Sequence, residues 1–245
     1  MKEFQLLGIK LQTMPEHVAK NILHTFLNSS NQHQIVTTNA EFIVRAQKDK
    51  KFANIINQAS MATVDGSGPI KALQFLGEDI SLDERITGVR LSEILIDIAI
   101  NNNYKILFCL YSKGLTKPNR LFIKLKDKYP ALDFQVADEK TAIEKARLFA
   151  PHIILVGFGA PRQEFWINEH LHEISSIKIA AGVGGTFDFM SGKIKRAPKI
   201  FRSLGLEWLW RFIRQPWRIF RINRAIIVFP FLVIKDRYIK SKKHK

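Results

Sequence analysis

Four turns hold the side chains of this chain that could do chemistry, and each follows a short apolar run. They are Thr37-Thr38-Asn39, Asp65-Gly66-Ser67-Gly68, Gly157-Phe158-Gly159-Ala160-Pro161-Arg162-Gln163-Glu164 and Gly182-Val183-Gly184-Gly185-Thr186-Phe187-Asp188. Asp65 ends an apolar strand, where a partly desolvated carboxylate can act as a general base; the competing reading is an Asp that caps the next helix. Asn39 can read sugar hydroxyls or cap a helix. Gly157 and Gly159 let backbone N–H groups approach an anion at a helix start, yet there is no third glycine and no Gly-Lys-Ser/Thr, so neither a dinucleotide fingerprint nor a Walker loop is present. Gln163 can hydrogen-bond a sugar or nucleobase, or stand as an exposed first-turn residue. Arg85, within Asp83-Glu84-Arg85-Ile86-Thr87-Gly88, can pair with a diphosphate or with the adjacent acids. Gly184 and Gly185 form a second backbone-rich turn.

Metal chemistry finds little support in the sequence. There is no H-E-x-x-H and no D-x-D, and His170 and His172, two apart on a predicted helix, point to different faces. The single cysteine, Cys109, excludes a Cys-rich zinc site and an internal disulfide framework, suits a reducing compartment, and reads as core.

The charge is concentrated in one place. From Lys193 to Lys245 there are 16 Lys and Arg against Glu207 and Asp236, a net +14 of the chain's +16, which leaves +2 for Met1–Gly192. Arg211, Arg214, Arg218, Arg221 and Arg224 recur at helical spacing beside Trp and Phe, followed by the apolar run Ala225–Ile234 and a Lys-rich end. That pattern suits an element lying on an anionic bilayer surface; a solvated face and a nucleic-acid patch are the alternatives. Ten apolar residues are too few for a span, which takes about 20, and the N-terminal segment does not read as a signal peptide.

Stepping from these residues to what must hold them, apolar β-branched runs alternate with stretches of helical period. Strands are expected at Phe4–Ile9, Gln34–Thr37, Met61–Val64, Lys105–Leu110, Asp133–Val136, Ile153–Val156 and Ile177–Ala181. Helices are expected at Pro15–Leu27, from Ala40, after Pro69, and at Leu91–Ala99, Pro118–Lys128, Thr141–Phe149 and Arg162–His170. The alternation predicts an α/β fold, Rossmann-like, with a mostly parallel sheet, helices on both faces and a basic helical C-terminal appendage. The expected division is a core at 1–192 and an appendage at 193–245 for membrane docking and active-site closure. Ligands of such sheets bind outside the carboxyl ends of the strands, where all four turns fall.

Taken in order, the motifs resemble the WecG/TagA/CpsF family of bacterial glycosyltransferases. They are Thr38-Asn39-Ala40-Glu41, Val64–Gly68, Glu84–Gly88, Val156–Glu164, Gly182–Asp188, Arg196-Ala197-Pro198, Leu206–Arg211 and Gln215–Arg218. The resemblance implies an inverting, metal-independent transfer with no cofactor. The donor would be a UDP-sugar, typically UDP-N-acetylmannosamine or its uronic acid, and the acceptor undecaprenyl-diphosphate-linked GlcNAc, in teichoic-acid or cell-surface polysaccharide synthesis. It implies Asp65 as base; Thr37, Asn39, Arg85 and Gln163 as positioning groups; Gly157, Gly159, Gly184 and Gly185 as backbone approaches to the nucleotide diphosphate; and Arg214, Arg221 and Arg224 closing over the diphosphates. It also implies a cytoplasmic, peripheral protein on the inner face of the plasma membrane, with no nucleic-acid partner and room for a homo-oligomer. One turn departs from the family: where relatives tend to carry L-G-G-K-P-G, this chain reads Leu110-Tyr111-Ser112-Lys113-Gly114-Leu115-Thr116-Lys117-Pro118. This leaves a glucosyl or other hexosyl donor open. A non-enzymatic basic module that binds lipid or nucleic acid is the contrasting class, and the joint presence of Asp65, Asn39, Gln163 and the Arg tail favours the enzyme.

Overall fold

The computed structural model describes residues 1–195, 198, 201, 209–210 and 223–243. Among these residues a single eight-stranded sheet is built from β1 (Lys2–Leu6), β2 (Ile9–Thr13), β3 (His33–Thr38), β4 (Met61–Val64), β5 (Ile106–Leu110), β6 (Phe134–Asp138), β7 (Ile153–Gly157) and β8 (Ile179–Gly182). The order is β1-β2-β4-β3-β8-β7-β5-β6, and every pairing is parallel except β1 with β2. The parallel strands are apolar along nearly their whole length because both sheet faces are covered.

One face carries Ile35, Met61, Phe108, Leu155 and Ile179 under α1 (Glu16–Asn28), α5 (Gly88–Asn102) and α6 (Pro118–Lys128). The other face has two clusters. Val36, Ala62 and Val64 lie under α2 (Ala40–Ala46), α3 (Lys50–Gln58) and α4 (Ser67–Phe75). Leu107, Cys109, Ile154, Val156 and Ala180 lie under α7 (Ala142–Phe149) and α8 (Arg162–His170). Cys109 is fully buried, and burial pushes its thiol pKa up. The doubly wound α/β architecture is therefore as expected.

Two local features differ from the sequence reading. The expected strand Phe4–Ile9 is a two-residue hairpin: Leu6 pairs with Ile9, and Leu7 and Gly8 both take positive φ (53° and 77°). This is the primed-turn geometry that matches strand twist, with an uncommon Leu in the left-handed region masking it. A separate helix, α3, follows the one begun at Ala40; Asp49 caps it by accepting from the Phe52 amide at 3.0 Å, and it buries Phe52, Ile55 and Ile56.

The chain closes with a π-helical turn, Arg224–Val228, that runs into α10 (Phe229–Lys243). Phe229 and Val233 are 2% and 3% exposed and belong to the cluster under α2–α4. Arg237 stacks on the Phe75 ring, 4.6 Å to its centroid, and donates to the Phe75 carbonyl at 3.0 Å. This part of the C-terminal region is thus a core element as well as an extension. The arginines at 211, 214, 218 and 221 lie outside the described residues, whereas Arg224 lies within them.

Removing the buried ring should reveal that role. Phe229→Ala is expected to lower unfolding free energy by about 3–5 kcal/mol. The outward Phe231→Ala should stay within about 0.5 kcal/mol. Urea titration of the two variants makes the comparison, and equal effects would contradict the inward packing of Phe229.

Candidate active site

The loop leaving β8 turns toward the face that carries α5: Phe187, in the short helix α9 (Thr186–Met190), packs into that cluster. The neighbouring strands β3 and β7 send their helices, α2 and α8, to the opposite face. Adjacent loops that leave strand carboxyl ends toward opposite faces mark the usual ligand position in this architecture.

Asp65 lies one residue past β4, half-buried, its amide bonded to the Thr38 carbonyl at 2.8 Å. Its Oδ2 is 3.5 Å from the Gly88 amide at the first position of α5. That separation is long for an N–H···O bond, and a helix start is a position that accommodates negative charge. Gly66 takes φ 87°, a conformation that swings the chain from Asp65 into α4 and suits glycine. α5 itself is tied down by Arg90, whose Nε and Nη2 donate to Glu16 Oε2 and Oε1 at 2.7 and 2.6 Å. The Arg90 hydrogen bond holds Glu16 down to about 2.

Close packing of glycines joins the turns. A Cβ on Gly88 would lie 3.0 Å from the Val183 carbonyl oxygen and 3.1 Å from Thr186 Oγ1; one on Gly157 would lie 2.6 Å from the Phe187 ring and 2.9 Å from the Gly184 oxygen. Gly157 therefore serves contact between turns. Gly159 (φ 78°) and Gly184 (φ 55°) are open on the Cβ side, and Gly185 caps α9. Between them sits Gln163. Its Oε1 accepts from the Gly159 and Gly184 amides, each at 3.1 Å, and its Nε2 donates to Glu164 Oε1 at 2.6 Å. Both side chains are fully buried. The expected direct contact of Gln163 with a substrate is replaced in this structure by an internal tie between two turns, because burial and three hydrogen bonds occupy its amide.

The other expected positioning groups divide in the same way. Thr37 is 3% exposed, and its hydroxyl donates to the Gly182 carbonyl at 2.8 Å, bridging β3 to β8. Asn39 caps α2, its Oδ1 accepting from the Phe42 amide at 3.1 Å. Arg85 makes no ion pair among the described residues: its Nε donates to the Leu82 carbonyl at 2.7 Å, while Glu84 engages Ser81, Thr13 and Lys2. Arg224 Nη1 is 3.9 Å from Glu41 Oε1 in the first turn of α2. A Cβ on Gly68 would be 3.4 Å from Ala40 Cβ and 3.8 Å from the Phe229 ring, so the described C-terminal segment lies against the starts of α2 and α4, the latter beginning two residues after Asp65.

Two groupings escaped the sequence reading. The Arg162 guanidinium stacks on the Tyr111 ring, 4.0 Å to its centroid, and Glu139 receives the Ser112 amide and hydroxyl at 2.6 and 2.5 Å. The departing turn is thereby braced from β6 and α8. Glu164 is the second. Burial pushes its carboxyl up to about 7, against the opposing Gln163 hydrogen bond and the charge of Arg45, and among the described residues its Oε2 has no hydrogen-bond partner. The only sequence signal was its place beside Gln163. Among the described residues no group of three or more His, Cys, Asp or Glu gathers as a metal site.

The chain matches the model of the Glycosyl transferase WecG/TagA/CpsF family over residues 4–243. It is 32% identical over 248 residues to proteins of Staphylococcus aureus strains MRSA252, MW2 and NCTC 8325, covering 98% of this chain and 95% of each relative. Those relatives are named N-acetylglucosaminyldiphosphoundecaprenol N-acetyl-beta-D-mannosaminyltransferase.

Because its folded pKa lies above the ordinary carboxylate value of 4.5, Glu164 contributes stability in full below about pH 4.5. That contribution is lost as pH rises to about 7 and the loss is complete above it. By linkage the change is on the order of 3 kcal/mol. Urea unfolding from pH 4.5 to 8 should show Glu164→Gln gaining on the wild type across this interval, then holding a constant offset; an offset independent of pH would refute it.

Proposed function

Since this chain belongs to the WecG/TagA/CpsF glycosyltransferase family, we propose that it moves N-acetylmannosamine, or its uronic acid, from a UDP-sugar to undecaprenyl-diphosphate-linked GlcNAc, with inversion and without a metal. The observation that carries this reading is the half-buried Asp65 carboxylate at the strand-end edge, beside the amide that begins α5. In the proposed step Asp65 takes the proton of the acceptor hydroxyl as its oxygen bonds to the donor's anomeric carbon. The bond from that carbon to the diphosphate oxygen breaks, and UDP leaves with the electron pair. Arg85, a cation without a carboxylate partner among the described residues, and Arg224 near the start of α2 are offered as partners for diphosphate charge. With Arg214 and Arg221 they would stabilise the leaving group electrostatically. Gly159 and Gly184, whose amides are held by Gln163, and Gly185 let the donor lie close to turns free of side chains, and Asn39 orients a hydroxyl through its amide. Thr37, Gln163 and Gly157 hold the turns that do so.

The acceptor's lipid calls for a membrane surface, proposed as the inner face of the plasma membrane. Ile227, Phe231, Ile234 and Tyr238 are 57–66% exposed at spacings of four, three and four, opposite Phe229 and Val233 and beside Lys235. An apolar stripe of this kind with flanking cations suits interfacial binding. No helix among the described residues is long and apolar enough to cross a membrane. The same stripe could instead seat a second copy of the chain.

The purified protein, incubated with a panel of UDP-sugars and a lipid-diphosphate-GlcNAc analogue, should yield a disaccharide detected by mass and unaffected by EDTA. Asp65→Asn is expected to lose at least about 10²-fold in kcat while still binding the donor. Near-normal turnover of that variant removes Asp65 as base, a glucosyl product corrects the donor, and a strict divalent requirement defeats the metal-free step.

Flotation with anionic liposomes tests the surface. Phe231→Ser combined with Ile234→Ser should weaken binding by about tenfold or more. Unchanged flotation with a shift from oligomer to monomer would assign the stripe to self-association.

A further inference from the structure

We propose that Glu164 is a positioning residue: through Oε1 it holds the Gln163 amide in the one orientation that ties the β7–α8 turn to the β8–α9 turn. A carboxamide presents an acceptor at one end and donors at the other, with almost the same shape. Two backbone N–H groups, from Gly159 and Gly184, converge on the Gln163 oxygen at 3.1 Å each. Were the amide reversed, its NH₂ would face those two donors and both bonds would be lost. The opposite end is fixed by Glu164, whose Oε1 accepts from Nε2 at 2.6 Å. Both side chains are fully buried, so water is not at hand to replace either partner. Gly182 completes the arrangement: a Cβ there would lie 2.7 Å from Gln163 Nε2 and 2.8 Å from Glu164 Oε1.

Among the described residues Glu164 Oε2 has no hydrogen-bond partner. The carboxyl therefore acts through one acceptor oxygen, and a neutral side chain that offers the same oxygen should suffice. Glutamine does so; leucine and methionine keep apolar bulk but offer no acceptor. Among the described residues Arg45 is the charged group that acts on Glu164, and none of these substitutions changes Arg45 itself. With the acceptor removed, Gln163 Nε2 is buried without a partner, and the side chain gains by leaving the position in which it binds the two turns. The residue touches no substrate in this scheme. Its effect on catalysis passes through Gln163 to the backbone of two turns, and that consequence rests on the glycosyltransferase reading above.

The test combines two readouts on the full chain. Amide hydrogen exchange at Gly159 and Gly184, followed by NMR, should rise about tenfold or more in Glu164→Leu relative to amides in the middle of β5. In Glu164→Gln it should stay within about threefold of wild type. In the transfer assay Glu164→Leu should raise the donor KM more than it lowers kcat, and Glu164→Gln should recover most of kcat/KM. Glu164→Met replaces the leucine variant if that protein does not fold. Unchanged exchange at both glycines in the acceptor-free variant overturns the proposal, as does equal loss of protection in Glu164→Gln. If wild type transfers no sugar but the exchange pattern is as stated, the positioning role stands and the proposed function falls.

Discussion

The site depends on glycines that let neighbouring backbone and side-chain atoms approach where a Cβ would stand. At Gly88, Gly157 and Gly182 a neighbouring atom occupies the place of a Cβ, at 3.0, 2.6 and 2.7 Å respectively. Real Cβ atoms do not sit at the shortest of these separations, so alanine at Gly157 would have to displace Phe187, a ring that itself plugs the cluster under α5. Strand ends in an open α/β sheet naturally splay toward opposite faces. Here three glycines let them close again, and the start of α5 is brought against the turn after β8. Asp65 inherits its position from this closure, because the amide near its carboxylate belongs to Gly88.

This explains which parts of the site were legible in sequence. Turns following apolar runs located the functional edge, since position after a parallel strand follows from periodicity alone. What the side chains do there was harder to read. A glycine at a helix start can admit a phosphate or another loop, and Gly157 does the second. A glutamine in a first helical turn is ordinarily exposed, and Gln163 is buried because the cavity left by Gly182 receives it. Asn39 reads equally as a sugar contact or a helix cap, and the resemblance makes Thr37 a positioning group; Asn39 Oδ1 caps a helix, and the Thr37 hydroxyl bridges two strands. Both are local satisfactions of backbone groups that a one-dimensional reading cannot separate from ligand contacts. The Leu7-Gly8 turn and the Asp49 cap escaped for a simpler reason: a Leu with positive φ and a short charged helix start are weak signals beside strong apolar runs.

The C-terminal segment shows how one helix can satisfy two demands. Phe229 and Val233, four apart, face the core, and Ile227, Phe231, Ile234 and Tyr238 form the opposite stripe. The sequence run Ala225–Ile234 gave no such division, because an all-apolar stretch has no periodicity from which to choose an inner face. Packing chooses it: Gly68 and Ala40 leave room for the Phe229 ring where α4 and α2 begin. The consequence is mechanical. A surface that engages the outer stripe pulls on a helix whose inner side is seated between the helix starts that follow β3 and β4, the two strands after which Asn39 and Asp65 lie.

Rigidity is therefore distributed unevenly along the strand ends. The turns after β7 and β8 are tied by a buried amide and by glycine packing, with no exposed side chain in the tie. Asp65 and Arg85, the groups proposed to meet a ligand, are half-buried; the Asp65 carboxylate faces the Gly88 amide, and Arg85 Nε donates to the Leu82 carbonyl. The proposed transfer to a lipid-linked acceptor would place opposite requirements on the two regions. A nucleotide diphosphate gains most from a surface whose backbone needs no rearrangement. An acceptor that arrives from a bilayer needs cations and a base that can adjust to it. In the proposed reaction, a scaffold that ties the turns after β7 and β8 through buried groups, with the proposed base and Arg85 half-buried beyond them, meets both requirements within a single sheet edge.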